Sequence, residues 1–294
     1  MGLLARGKEE QSLAFGGQAL IEGIMIRSRT HLVICIRQTE EKILTHVEEL
    51  KPSTQRHWAL RLPLIRGIIA LFETMYLGVK GIYFSANAVL EEEQEELTWR
   101  EWAIVAVMTI GLSSIFIVVP FLLTSFLHLT GVIFNLVEAA VRLSLFLAYI
   151  ALVSRWKDFR RVLQYHGAEH KAINAHEAGV AMEVASVRRF SRLHRRCGTS
   201  FIFFVVIVSI LLFSLVPRDG FLLRLSYRFL LIPVIGAISY ELLRYSGKHG
   251  DSTVVKILTA PGLAFQRLTT REPEDPMIEV AIRAVQEVIR LSGS

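Results

Sequence analysis

From Ala103 to Leu127 the chain carries no Asp, Glu, Lys or Arg. A helix of about 20 apolar residues crosses the hydrocarbon core of a bilayer, so this run predicts a transmembrane span. Only His128-Leu129-Thr130-Gly131 separates it from a second run, Val132 to Val153, long enough to return. A shorter run, Ser200 to Val216, leads through the turn Pro217-Arg218-Asp219-Gly220 into a fourth, Phe221 to Leu243. Arg224 and Arg228 shorten the uncharged part of that fourth run, and Pro233 is expected to kink it. The last two runs therefore read as a hairpin that just crosses, or as a re-entrant pair. Composition agrees: 52% hydrophobic residues and a mean hydropathy of +0.43 over 294 residues are unusual for a soluble domain.

Charge sets the expected orientation. The segment from Ser154 to Thr199 holds ten Lys or Arg, whereas the two short turns between runs hold only Arg218. The positive-inside rule places this loop and both termini in the cytoplasm, of a plasma membrane on this reading. The same basic excess, part of a net charge of +6, suits anionic lipid. No module for specific nucleic-acid recognition is visible. Residues Met1 to Gln11 lack an apolar core, so no cleavable signal peptide is expected. The two cysteines, Cys35 and Cys197, suggest no disulfide framework.

The remaining segments form the cytoplasmic face. Residues 1–57 read as a β-rich unit, with Ala19 to Ile26 and His31 to Ile36 as strands joined at Ser28-Arg29-Thr30, and Ile43 to Val47 as a third. Residues 58–90 read as an amphipathic helix lying in the interface or packed against the spans. In it Arg66, Glu73, Lys80 and Asn87, each seven apart, make one narrow polar stripe. An acidic linker (91–102) leads to the first transmembrane hairpin (103–153). Asn135, Glu138 and Arg142 share one face of its second arm, either as a functional group or as a Glu138–Arg142 pair locking helix packing. A His- and Arg-rich loop (154–199), the second hairpin (200–243) and a C-terminal segment (244–294) follow. In the last, Asp275 and Pro276 start an amphipathic helix whose apolar face needs a partner.

The chemistry concentrates in Tyr165-His166-Gly167-Ala168-Glu169-His170-Lys171. Histidines four apart lie one turn from each other on a helix, so both imidazoles reach one ion. His-x-x-Glu-His is the inverted zinc-hydrolase pattern, with the Glu as general base. His194 and Cys197 supply a second pair of donors. Four ligands, His166, His170, His194 and Cys197, make a closed structural zinc site. Three leave a position open for catalysis with Glu169 as the base. Glu177 is a further ligand or an orienting group, and His176 another donor. A Cys197/His nucleophile pair is a competing reading. Gly16-Gly17-Gln18-Ala19-Leu20-Ile21-Glu22-Gly23 lacks the Gly-Lys-Ser/Thr ending of a phosphate loop. It reads as turn chemistry, or as a device that brings Glu22 to the metal site.

These motifs, in order, resemble the YqhQ-like family of bacterial membrane proteins, also found in plastids. The likeness rests on Gly16-Gly17-Gln18-Ala19 with Ile21-Glu22-Gly23, and on the Tyr165–Lys171 motif. It extends through His194-Arg195-Arg196-Cys197-Gly198-Thr199 to Leu268-Thr269-Thr270-Arg271-Glu272-Pro273 with Glu279-Val280-Ala281-Ile282. It implies membrane location and a metal-dependent enzyme of unassigned substrate. The family's frequent Tyr at the position of His176 argues against His176 as a ligand and favours Glu177.

The expected fold is thus an α-helical polytopic membrane protein with about four transmembrane helices, a small β-rich N-terminal unit and a C-terminal amphipathic helix. The expected function is that of a zinc-dependent hydrolase at the cytoplasmic membrane surface. The alternative is a membrane scaffold whose structural zinc staples the basic loop against lipid, a membrane-protein partner or a ribosome.

Overall fold

The computed structural model describes residues 15–51, 57–90, 97–194, 197–216, 220–249 and 252–292. The first residues, the acidic run at 91–96, Arg195, Arg196 and the turn residues 217–219 lie outside them.

The N-terminal unit is a four-stranded antiparallel meander: β1 (Gly16–Leu20), β2 (Gly23–Arg27), β3 (His31–Arg37) and β4 (Ile43–Glu49). The stretch expected as one strand, Ala19 to Ile26, is two, folded back at Ile21-Glu22 with Leu20 opposite Gly23. Glu22 adopts φ 49°, a left-handed conformation rare outside glycine. Nothing local favours that turn. Its cause is tertiary: the Glu22 carboxylate is held by Arg161 and by the Tyr165 hydroxyl, 3.1 Å away.

Alternation along β2 and β3 sorts their side chains to two faces, both covered. Ile24, Ile26, Val33 and Cys35 pack with the C-terminal helix and the His-rich helix. Met25, Leu32, Ile34 and Ile36 pack with Leu77 and Ala88 of the helix after the sheet. The C-terminal amphipathic helix, α9 below, thus finds its partner in the β unit. Burial in this environment pushes the Cys35 thiol up to about 11.

The longer helices are α1 (Pro63–Leu90), α2 (Trp99–Ser125), α3 (Gly131–Val153), α4 (Lys157–Glu177), α5 (Thr199–Leu215), α6 (Phe221–Leu230), α7 (Ile232–Lys248), α8 (Thr253–Thr269) and α9 (Asp275–Ser292). Among the described residues, α1, α2 and α3 are long and apolar enough to cross a membrane, and α6 with α7 adds a fourth if the pair is one span. That pair bends by 43° just before Pro233, the residue expected to kink it. α5 is shorter, at 17 residues. The candidate spans number three or four, but α1 joins them where the third apolar run was expected.

The reason lies in the polar stripe of α1, which faces protein. Arg66 binds Glu241 of α7, Glu73 binds Arg27 of β2, and Lys80 binds Glu48 of β4 at 2.9 Å. Asn87 is buried. With its charges paired, α1 turns apolar residues such as Phe72, Met75 and Tyr76 outward. Gly67 allows α1 to lie on the Ala237 backbone of α7, since a Cβ there would meet it at 2.9 Å.

α2 starts at a capping box made by Thr98 and Glu101. Beyond it the helix is apolar all round, and Val107 and Met108 are about 70% exposed. The charges of α3 are internal. Glu138 takes Arg142 at 2.7 Å, as expected, and also Arg228 of α6 at 2.9 Å. Asn135 donates to Ser214 of α5. This polar face therefore locks α3 against its neighbours.

α8, which the sequence reading left undivided within the C-terminal segment, packs on α5. A Cβ at Gly262 would meet the Ser200 hydroxyl oxygen at 2.7 Å. From α8 the chain runs extended over α4 into α9, and Arg271 N–H donates to the Leu163 carbonyl at 2.8 Å.

Candidate metal centre

α4 carries the motif, and three neighbours converge on it. Gly167 is the contact point of the first. A Cβ there would overlap the Arg271 carbonyl oxygen, so glycine lets the segment after α8 lie on α4. Lys171 and Asn174 fix the second. The Lys171 ammonium donates to the carbonyls of Arg188 and Phe190 at 2.8 Å, and the Asn174 amide to those of Ser191 and Leu193. These bonds lay residues 188–193 along α4 and deliver His194 and Cys197. The third neighbour is β1: a Cβ at Gly17 would overlap the Glu169 carboxylate.

One donor atom from each of His166, His170 and Cys197 lies within 4.8 Å of the others. Their protonation follows from their partners. His166 Nδ1 is 2.8 Å from the Thr269 carbonyl, and His170 Nδ1 is 2.7 Å from the Arg192 carbonyl. A carbonyl only accepts, so both rings carry their proton on Nδ1 and present an Nε2 lone pair. His166 Nε2 is 3.3 Å from Cys197 Sγ. His170 Nε2 is buried with no hydrogen-bond partner among the described residues. Burial holds the His170 imidazole below its ordinary pKa, which keeps it neutral. Cys197 lies just before α5, and its sulfur accepts from the N–H and hydroxyl of Thr199, each at 3.5 Å.

This arrangement fits a metal ion. Ligating histidines usually give their second N–H to a carbonyl or carboxylate, which fixes the tautomer. Both rings here do so. The Nε2 of His170 is buried, meets no hydrogen-bond partner at bonding distance among the described residues, and has the Cys197 thiol as its neighbour. Imidazole nitrogens and a thiol sulfur are the donor set of zinc.

His194 differs. Its Nε2 faces Glu177 Oε1 at 3.3 Å, so the proton sits on Nε2, the opposite tautomer. Its ring centroid is 5.7 Å from that of His170. Gln266 clamps its backbone through two hydrogen bonds of 2.8 Å. His194 is thus adjacent to the cluster but outside it, with Glu177 orienting it. His176 lies elsewhere, its ring 5.9 Å from that of Phe15.

Glu169 is 4% exposed, and its Oε2 has no hydrogen-bond partner among the described residues. Burial raises its pKa, and the charge that His166 or His194 would carry when doubly protonated works the other way. Glu22, read from the sequence either as part of a turn or as a group brought to the metal site, sits in the β1–β2 turn and is engaged by Arg161 and Tyr165 of α4. It is Gly17, not Glu22, that brings the β unit to the centre.

Sequence reading gave no role at the site to several contributors: Gly17, Lys171, Asn174, Arg192, Gln266 and Thr269. Arg192 acts twice, through its carbonyl on His170 and through its guanidinium on the Thr270 carbonyl at 2.6 Å. Carbonyl partners leave no trace in residue type. Lys171 did offer a signal, since a lysine inside a buried helical motif needs acceptors.

The chain matches, over residues 62–291, a family described as "Protein of unknown function (DUF1385)". It is 37% identical to "Uncharacterized protein YqhQ" of Bacillus subtilis (strain 168) over 300 residues, covering 95% of this chain and 93% of that protein. The chain belongs to this family. No solved structure matches it.

Proposed function

We infer that this family member is a membrane-embedded, metal-dependent hydrolase whose centre lies at the cytoplasmic membrane surface. The observation that carries the reading is the pair of matched tautomers. Two imidazoles held by backbone carbonyls turn their Nε2 atoms toward one thiol, His166 Nε2 at 3.3 Å from Cys197 Sγ. His166, His170 and Cys197 would hold a zinc ion, leaving a fourth position open. Bound there, zinc supplies Lewis acidity that makes water a nucleophile near neutral pH.

The chain's own groups supply the rest. Glu169 Oε2, buried and with no hydrogen-bond partner among the described residues, would take a proton from the attacking water and return it to the leaving group, so that water is added across the cleaved bond. Glu177 and Gln266 hold His194 as a lining group. The outward apolar faces of α1, α2 and α3 support embedding, because soluble surfaces rarely carry apolar patches of that extent.

Metal content of the detergent-purified protein is the test. We expect about one zinc per wild-type chain, reduced to about a tenth or less in His166→Ala, His170→Ala and Cys197→Ala. His194→Ala should keep it. Glu169→Gln should keep the metal and lose water-dependent cleavage across a panel of chromogenic esters and phosphoesters. Full activity in that variant would remove the base from the reading. The scaffold reading is favoured by one observation, the nearness of His194. Loss of zinc in His194→Ala as well, with a lowered melting temperature, would indicate a closed four-ligand staple.

A further inference from the structure

An apolar cavity of about 320 Å³ lies between the C-terminal half of α3, the start of α5 and the second half of α8. Its walls include Leu143, Phe146, Phe203, Phe265 and Leu268, and its one polar side chain is Thr199. The volume is within the range of small-molecule sites, ~300–1,000 Å³. An apolar cavity of this kind gains nothing from water and takes up hydrocarbon readily. A peptide occupant would need partners for its backbone groups, and this lining supplies almost none.

The cavity also adjoins the metal centre through residues that border both. Thr199 lines it and donates to Cys197 Sγ. Leu268 lines it and precedes Thr269, whose carbonyl holds His166. α8 divides its two faces between the two tasks. Phe265 and Leu268 wall the cavity, while Gln266, Thr269 and Thr270 hold His194, His166 and Arg192. On the other side Ala264 and Pro261 are exposed, so the cavity reaches the outer surface of the helices. There it meets the end of α3, a candidate span.

We propose that this cavity receives the hydrocarbon tail of a membrane lipid whose polar end lies at the metal centre. The substrate class is then a lipid amphiphile. The headgroup half of this statement rests on the hydrolase reading above; the tail half does not. A lipid arriving sideways from the bilayer would bring its headgroup to the depth at which α3 and α5 end. The reacting bond would then sit beside Cys197 while the chain lies against the wall made by Phe146 and Phe265, whose rings are in contact with centroids 5.6 Å apart.

The test uses the full chain in nanodiscs of phosphatidylcholine and phosphatidylglycerol doped with a phosphatidylglycerol that carries a photoactivatable diazirine on one acyl chain. Labelled peptides are mapped after irradiation, and zinc is measured on the same preparation. We expect label concentrated on α3, α5 and α8 at the cavity residues. Filling the cavity with Ala264→Phe or, independently, Leu147→Trp should lower that label by about tenfold while zinc is retained. On wild type, an added hexadecyl amphiphile should compete and a butyl one should not, a comparison that needs no variant to fold. Label spread evenly over exposed positions such as Val107 and Met108, and unmoved by filling or competition, would overturn the proposal. With zinc present, that outcome leaves the hydrolase reading intact. Cavity label without zinc would instead retain the tail site and remove the metal chemistry.

Discussion

At the scale of the residue, Gly167 says most about how the centre is made. The motif His-Gly-Ala-Glu-His looks like a list of ligands, yet the glycine in it serves the segment that crosses above. A methyl group at 167 has nowhere to go, because the atom it would meet is the Arg271 carbonyl oxygen, a backbone atom. Gly167→Ala should therefore lower stability by about 1–3 kcal/mol, as overpacking does. It should also weaken zinc retention, because the displaced segment adjoins Thr269, which props His166. Chemical denaturation and metal content read the two effects. A variant as stable as wild type and fully loaded with metal would show that the crossing segment yields freely. The ligand types and their spacing were legible in the sequence. The tautomers were not, because they depend on which carbonyls lie behind the rings, and every residue has a carbonyl.

At the scale of the element, the turn between β1 and β2 is held by α4. Burial alone would raise the Glu22 carboxyl, but Arg161, then Tyr165 and Arg37, hold it below its ordinary 4.5. A lowered carboxyl stabilises the folded state fully above its unfolded value and loses that contribution as pH falls through the lowered one. The melting temperature of metal-stripped protein should thus fall as pH drops below 4.5. Glu22→Gln should melt lower at neutral pH and show a smaller acid-side fall. A fall as large as that of wild type would take Glu22 out of the acid response. The split of Ala19–Ile26 into two strands escaped sequence reading for the same reason. Leu20-Ile21-Glu22-Gly23 lacks the Asn-Gly or Asp-Gly signature of a tight hairpin. Its left-handed residue is a glutamate pinned from a helix about 140 positions later. The stripe on α1 was legible as a stripe. Its direction was not, since a seven-residue repeat shows which residues share a face and not what that face meets.

At the scale of the whole molecule, two bodies of different character share one chain. The sheet, α4 and α9 enclose a core of ordinary globular kind. α2 and α3 leave most of their apolar surface uncovered. The uncharged runs made the second body plain from sequence, whereas the pairing of the first depended on contacts between residues more than 200 positions apart, such as Arg37 with Glu279. If α2 and α3 cross as a hairpin and the α5–α7 region returns to the same side, both ends of the chain share a compartment with the metal centre. A reporter active only in the cytoplasm, fused after Ser294, should then be active, and one inserted between Leu129 and Thr130 should be silent. Activity at the second position would invert the orientation or remove the crossing. Protein released from membranes by alkaline carbonate would count against embedding altogether.

The centre draws on three stretches that leave the ribosome far apart in time: 166–174, 192–199 and 266–271. The imidazoles of His166 and His170 emerge before α5 and α7 exist, and the Thr269 carbonyl that sets the His166 tautomer is made 103 residues after His166. A nascent chain that stops short of Thr269 has both rings but lacks the prop that aims one of them. If the centre takes up a metal, uptake in this geometry waits for α8, whose other face closes on α5. A loaded centre would certify that the intervening helices have already found their places.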